Sequence, residues 1–376
     1  MREPAVLHFA ADWLPPSEVF LYDLVRSLRR RGLVVAGEPL LHSDRFPLPA
    51  IPVRSLAPLE RITPPAVRPP VVTAALSLLA RRERVGIVHV HHGYRIDQVL
   101  GTVRRRGLPL VVSLHGHDVT GYLEGRPRAY REAAGLASAV IVPSRFLVPA
   151  AVAAGFPEEV VRVLPSGIET GFFRAGPIPA GPPEALFVGR FVEKKGLDVL
   201  AAAWPAVQAT VPGARLRILG YGPLETLARS IGGAEVVLAP DRETVREALT
   251  RARLVVSPSR TAGDDAVESL LMVNLEAQAA GRPVVTTRHG GIPEYVLEGE
   301  TALVVPEGDP GALATALIAV LGDEDLARRL GGAGPAWAAR FDLGVTAGAV
   351  DALYGELLGE TPGMARSGAE LLPSRT

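Results

Sequence analysis

The chain alternates short β-branched or apolar runs with longer segments whose apolar residues recur at helical spacing. AVLHFA (5–10) precedes VFLYDLVRSLRRRG (19–32), GIVHVHH (86–92) precedes DQVLGTVRRRG (97–107), and LPLVVSLHG (108–116) precedes RAYREAAGLA (128–137). AVIVPS (139–144), followed by RFLVPAAVAAG (145–155), closes this first series. After the proline- and glycine-rich stretch GPIPAGPPE (176–184) the alternation restarts with EALFVGR, GLDVLAAAWPAV, ARLRILGYG and PLETLARSI. It continues through TVREALTRA, RLVVSPS, LEAQAAG, RPVVTTRHGG, TALVVPEG and DPGALATALIAVLGD. Runs of strand length alternating with segments of helix length predict parallel sheets covered by helices on both faces. Two such series across a Pro/Gly stretch predict an α/β chain of two Rossmann-like domains facing a central cleft, with the polar loops after the strands carrying the chemistry. The expected division is an N-terminal domain over 1–175, a linker over 176–184 and a C-terminal domain over 185–345. A terminal helix and an unpatterned tail fill 346–376.

Composition narrows the function classes. A length of 376 residues favours two domains, and 48% hydrophobic with 21% charged residues describes a water-soluble globular chain. The longest aliphatic run, VVTAALSLLA (71–80), is far short of the roughly 20 residues needed to span a bilayer. Asp12 and Pro15 interrupt the N-terminus where a signal peptide needs a continuous apolar core, and there is no cysteine for a disulfide framework or thiolate metal site. These features fit the cytoplasm. The neutral total hides an asymmetry: residues 1–175 hold 22 arginines against 15 acidic residues, a net +7 balanced by −7 in the remainder. Arg54, Arg61, Arg68, Arg81, Arg82 and Arg84 flank a proline-rich apolar segment, a composition suited either to the anionic inner face of a membrane or to a solvated basic surface. Sparse aromatic residues, not interleaved with the basic ones, argue against nucleic acid.

Two features then point to a site. Only two of the 40 basic residues are lysines, Lys194 and Lys195, both in GRFVEKKG (189–196). Where arginine otherwise carries the positive charge, a lysine suits a compact point charge presented to a phosphate, and the flanking glycines allow close backbone approach. The second feature is ESLLMVNLE (268–276). In one continuous helix Glu268 and Glu276 would lie roughly 80° apart and about 12 Å along the axis, too far to form a carboxylate pair. With Glu268 in a loop and the helix starting near Met272, the two carboxylates reach opposite ends of one ligand, with unpaired helix N–H groups between them.

Together GRFVEKKG, ESLLMVNLE, LHGHD, VLPSGIE, SPS (257–259), AAGRPVV, GGIPEYV and RFD (340–342) resemble the retaining nucleotide-sugar glycosyltransferases of family four, exopolysaccharide-type members with the GT-B fold. The resemblance is weakest over 40–80 and in the tail. It implies transfer of a hexose from a UDP- or GDP-type donor to a saccharide or lipid-linked hydroxyl acceptor, with no metal and no other cofactor. It assigns His115, Arg190, Lys195 and Glu268 to catalysis. Glu276 holds the ribose, while Met272, Val273 and Asn274 offer the diphosphate helix N-terminal N–H groups. His117 and Asp118 are pocket or acceptor contacts. The chain departs from the family at Ser269 and Leu271, where glycine or proline is usual, and at LPPSEVF (14–20), which stands in place of a Gly-Gly loop and sets Ser17 toward the diphosphate. Three alternatives follow: a nucleotide-sugar epimerase of the same fold, a non-catalytic nucleotide binder, and a metal hydrolase built on HVHH (89–92) and HGHD (115–118). Against the hydrolase, strand alternation keeps His92 off the face shared by His89 and His91. Asp323 in DED (323–325) fits a helix N-cap better than a metal motif.

Overall fold

The computed structural model describes residues 3–13, 19–38, 40, 46–48, 51–93, 95–116, 127–263, 267–360 and 372. The chain forms two compact units. The first holds the residues up to Gly167 together with those from Leu343 on, and the second runs from Ile168 to Asp342.

In the first unit seven parallel strands are ordered β3-β2-β1-β4-β5-β6-β7. They are β1 (Ala5–Ala10), β2 (Gly32–Ala36), β3 (Val53–Ser55), β4 (Val85–His91), β5 (Leu110–Ser113), β6 (Ala137–Val142) and β7 (Val161–Val163). All six residues of β1 are buried, as expected for a central strand covered on both faces. One face packs Leu7, Phe9, Val88 and Val90 under Val72 and Leu76 of helix Arg68–Arg82 and Val99 and Val103 of helix Asp97–Arg106. The other face packs Val6, Ile87, Val111 and Ile141 under Val350, Leu353 and Tyr354 of helix Leu343–Leu357.

That return of the chain corrects the expected division. Residues 343–345 lie with the first unit, because the terminal helix supplies the apolar residues that cover its second face, while 168–175 and the stretch 176–184 lie with the second. The Pro/Gly stretch 176–184 is not a free linker. Gly176 N–H donates to Ala280 O (3.3 Å), and the buried Arg282 donates to Pro177 O (2.7 Å).

In the second unit six parallel strands are ordered β10-β9-β8-β11-β12-β13. They are β8 (Glu184–Arg190), β9 (Arg215–Tyr221), β10 (Ala234–Leu238), β11 (Leu254–Ser257), β12 (Val284–Thr287) and β13 (Ala302–Val305). Leu200 and Trp204 of helix Leu197–Thr210 and Leu313 and Leu317 of helix Pro310–Gly322 join one core with Ala185, Ile218 and Val256. Asp323 caps the helix Glu324–Ala338, accepting Leu326 N–H at 2.9 Å, so DED is structural as expected.

Candidate functional site

In the second unit the site lies at the carboxyl ends of β8, β11, β12 and β13. Arg190 ends β8 and is exposed, and the chain then turns through a 3₁₀ segment, Glu193–Lys195. Gly196 closes that turn at φ +67°, and a Cβ there would stand 1.8 Å from Pro258 O. Only glycine lets the lysine turn settle against the 258–260 loop. Lys195 Nζ lies 2.9 Å from Glu268 Oε1, and Lys194 Nζ lies 3.5 Å from the same oxygen. Burial pushes the Lys195 ammonium below its usual range, partly offset by Glu268, with Lys194 and Arg190 adding to the depression. Burial alone would raise the Glu268 carboxyl, but Lys195, Lys194 and His289 reverse this and hold it below the usual carboxylate range. The pair is therefore charged.

Helix Met272–Ala279 starts four residues after Glu268, so the first carboxylate stands in the loop and Glu276 on the helix, the second of the two arrangements the spacing allowed. Met272 and Val273 form the half-buried first turn. Asn274 differs from its expected role. Its N–H already donates to Leu271 O (3.1 Å), and its buried Oδ1 accepts from Ser257 Oγ (2.7 Å). Its Nδ2 points to Thr286 Oγ1 at 3.4 Å, so the side chain pins the helix start to β11 and β12. Ser269 and Leu271 are both buried. The peptide of Glu268 is held on both sides: its N–H donates to His289 Nε2 (3.2 Å), and its carbonyl accepts from Gly291 N–H (2.9 Å). The bracing by His289, Ser257 and Thr286 was not foreseen, although SPS (257–259) holds Ser257 and RPVVTTRHGG holds Thr286 and His289.

His115 belongs to the first unit, half-buried after β5, with its ring 4.5 Å from His92 and 4.9 Å from Phe20 between centroids. Burial first, then His92 and His89, push its ring well below the usual imidazole value. It lines one pocket with Phe20, His91, Ser113, Ser166 and Thr346. His92 beside it adopts φ +64°, a backbone strain that concentrates at functional sites. Ser17, His117 and Asp118 lie outside the described residues.

The histidine cluster takes a form the sequence did not foresee. His8 on β1 joins His89 and His91 on β4, with ligand-capable atoms within 4.8 Å of one another, all buried. Their nitrogens are largely engaged. His8 Nδ1 meets His91 Nε2 at 3.0 Å, His89 Nε2 meets Ser113 Oγ at 2.7 Å, and His89 Nδ1 meets Tyr354 Oη. Burial depresses all three, His8 to about 3, so they are neutral core groups bonded to one another and to neighbouring hydroxyls. Both ring nitrogens of His89 are spent in this way, which argues against a hydrolase centre.

Two family models match the chain: "Glycosyltransferase Family 4" over residues 17–172 and "Glycosyl transferases group 1" over 182–323. The GDP-mannose-dependent alpha-(1-6)-phosphatidylinositol monomannoside mannosyltransferase of Mycolicibacterium smegmatis is 35% identical, the match covering 64% of this chain and 68% of that protein. The D-inositol 3-phosphate glycosyltransferase of Acidothermus cellulolyticus is 30% identical over 91% of this chain and 86% of its own length. Among solved structures, Anabaena Alr3699/HepE in complex with UDP superposes with a TM-score of 0.78 at 19% identity, covering 95% of this chain and 100% of that one.

Proposed function

The chain belongs to the group 1, family 4 glycosyltransferases of the GT-B fold, and from that membership we propose that it moves a hexose from a nucleotide-diphosphate donor to a hydroxyl acceptor with retention at the anomeric carbon. The observation that carries this reading is the charged Lys194–Glu268–Lys195 cluster, set beside Arg190 at the strand ends of the second unit. As the bond between the anomeric carbon and the diphosphate breaks, negative charge grows on the leaving phosphate. Arg190, at the exposed end of β8, and the half-buried Lys195 are the cations to meet it, and the partly desolvated Lys195 counts for more there than in water. The acceptor oxygen forms its bond on the face being vacated, and its proton passes to the departing phosphate oxygen. Glu276, on the second turn of its helix, takes the ribose hydroxyls. His115 serves the donor sugar.

The acceptor we propose is anionic or lipid-linked, of the cell-envelope or exopolysaccharide type, approached by an enzyme resting on a membrane surface. Support comes from the first unit. Ile62 (80% exposed), Val67 (48%) and Leu78 (69%) present apolar side chains to water along 62–78, bounded by exposed Arg61, Arg81, Arg82 and Arg84. Among the described residues no helix is long and apolar enough to cross a membrane. The relatives named for a phosphatidylinositol mannoside and for an inositol phosphate point to acceptors of the same chemistry.

Incubation with UDP-, GDP- and ADP-sugars, with and without phosphorylated polyol and lipid-linked acceptors, tests the reaction. The expected result is acceptor-dependent nucleotide release and a glycoside of the donor's anomeric configuration. An inverted product, or a converted sugar released without acceptor, would sink the reading, the second in favour of an epimerase.

A further inference from the structure

Glu268 sits in a loop, and a loop residue holds a charge in place only if something fixes its backbone. The chain supplies this from the two strands beyond it. His289, after β12, is 3% exposed and accepts the Glu268 N–H at Nε2 (3.2 Å). Because an N–H can only donate, that nitrogen carries the lone pair, and the ring proton must be on Nδ1. There it meets Glu307 Oε2 at 2.7 Å, just after β13. The same carboxylate takes the Thr261 N–H at 2.8 Å and lies 3.1 Å from the Thr261 hydroxyl. Thr261 opens the segment that ends at Glu268, so one carboxylate fixes both ends: Thr261 directly and Glu268 through the imidazole. Gly291 N–H closes the clamp on the Glu268 carbonyl, and Gly290 at φ +56° leaves no room for a Cβ, which would meet that oxygen at 2.1 Å.

Resting on the transferase reading, we propose that His289 and Glu307 are positioning residues: Glu307 fixes the tautomer and tilt of His289, and His289 sets where Glu268 and its lysine partners stand against the transferred sugar. Neither residue touches the substrate. Their contribution is to the geometry of the reacting step, where a displacement of about 1 Å costs on the order of 100-fold, and not to the hold on the nucleotide.

The test compares His289→Ala, Glu307→Ala, Glu307→Gln, Glu268→Gln and the double variant Glu268→Gln/His289→Ala. The readouts are kcat, donor KM, nucleoside diphosphate affinity by calorimetry, and exchange of the Glu268 amide proton. His289→Ala and Glu307→Ala are expected to lower kcat by about 10- to 100-fold, with nucleotide affinity held within about threefold. Glu307→Gln keeps an oxygen for both Thr261 N–H and His289 Nδ1–H, so it restores most of kcat and the protection of the Glu268 amide. The double variant is expected to be no slower than Glu268→Gln alone, because His289 acts through a carboxylate already removed. An active enzyme whose kcat ignores both alanine variants, or a double variant whose losses multiply, would overturn the positioning role. A wild-type protein inert to every donor while its Glu268 amide stays protected would instead overturn the transferase reading beneath it.

Discussion

Acid should undo the first unit before the second, and the buried histidines set the scale. His8, His89 and His91 are buried and neutral, and burial pushes His8 to about 3 and the other two well below 6.5. In the unfolded chain each takes a proton near the ordinary imidazole value of about 6.5. The folded pKa is the depressed one, so the unfolded state binds more protons at low pH. The stability due to each histidine is complete above about 6.5 and is lost as pH falls below it, down to the folded value. From pH 7.5 to 5.5 the loss is on the order of 1 kcal/mol per histidine, several kcal/mol for these three together with His115, which is depressed in the same unit. Set against a typical 5–15 kcal/mol for a domain, that is a large share, in a range where most carboxylates remain ionised. The second unit contains a single histidine, His289. Trp13 is buried in the first unit, and Trp204 and Trp337 in the second, so tryptophan-to-phenylalanine variants give each unit its own fluorescence signal in urea titrations. The expected result is a first-unit unfolding free energy that falls by several kcal/mol between pH 7.5 and 5.5, with the second unit falling far less. A His8→Phe variant should lose about a quarter of that slope, one of four depressed rings. Equal acid sensitivity of the two units, or a first-unit loss under about 1 kcal/mol, would refute the assignment of these rings as neutral core groups.

Lys195→Ala and Arg190→Ala should each cost roughly 2–4 kcal/mol of transition-state stabilisation, read as kcat/KM, and full turnover by Lys195→Ala at saturating donor would disprove the phosphate clamp. Arg190 is exposed, so its variant should keep the wild-type Tm. Lys195→Ala leaves buried Glu268 with Lys194 at 3.5 Å and should melt lower. Glu276→Ala should raise donor KM with a smaller change in kcat, measured against the same donor, and a pure kcat effect would remove it from the ribose. Sedimentation with anionic and neutral liposomes at low and raised salt should show salt-sensitive binding to the anionic ones, reduced in Ile62→Ser/Leu78→Ser. Equal partition to both lipids would leave the arginines as ordinary surface.

The central strands were legible because a parallel sheet buried on both faces demands uninterrupted apolar runs, and AVLHFA, EALFVGR and RLVVSPS supply them. The edges were not. β3 and β10 end their sheets with half-exposed residues, and β3 is only three residues long, so little periodicity marks them. The return of helix Leu343–Leu357 to the first sheet was hidden for another reason: pattern shows that a helix has an apolar face, not which distant sheet lacks a cover. The site divides in the same way. Spacing left Glu268 and Glu276 either on one helix or split between a loop and the helix after it, and the family resemblance, not the local pattern, favoured the second arrangement that the structure has. That Lys195 meets Glu268, that Asn274 faces the core, and that His289 holds a peptide of another loop depend on tertiary contacts between strand ends. The pairing of Lys195 alters the chemistry expected of it. In this structure its charge is already answered by Glu268 at 2.9 Å, so a diphosphate bound as proposed would share that lysine with the carboxylate. On the proposed reading, donor binding would therefore bear directly on the charge that Glu268 presents to the sugar.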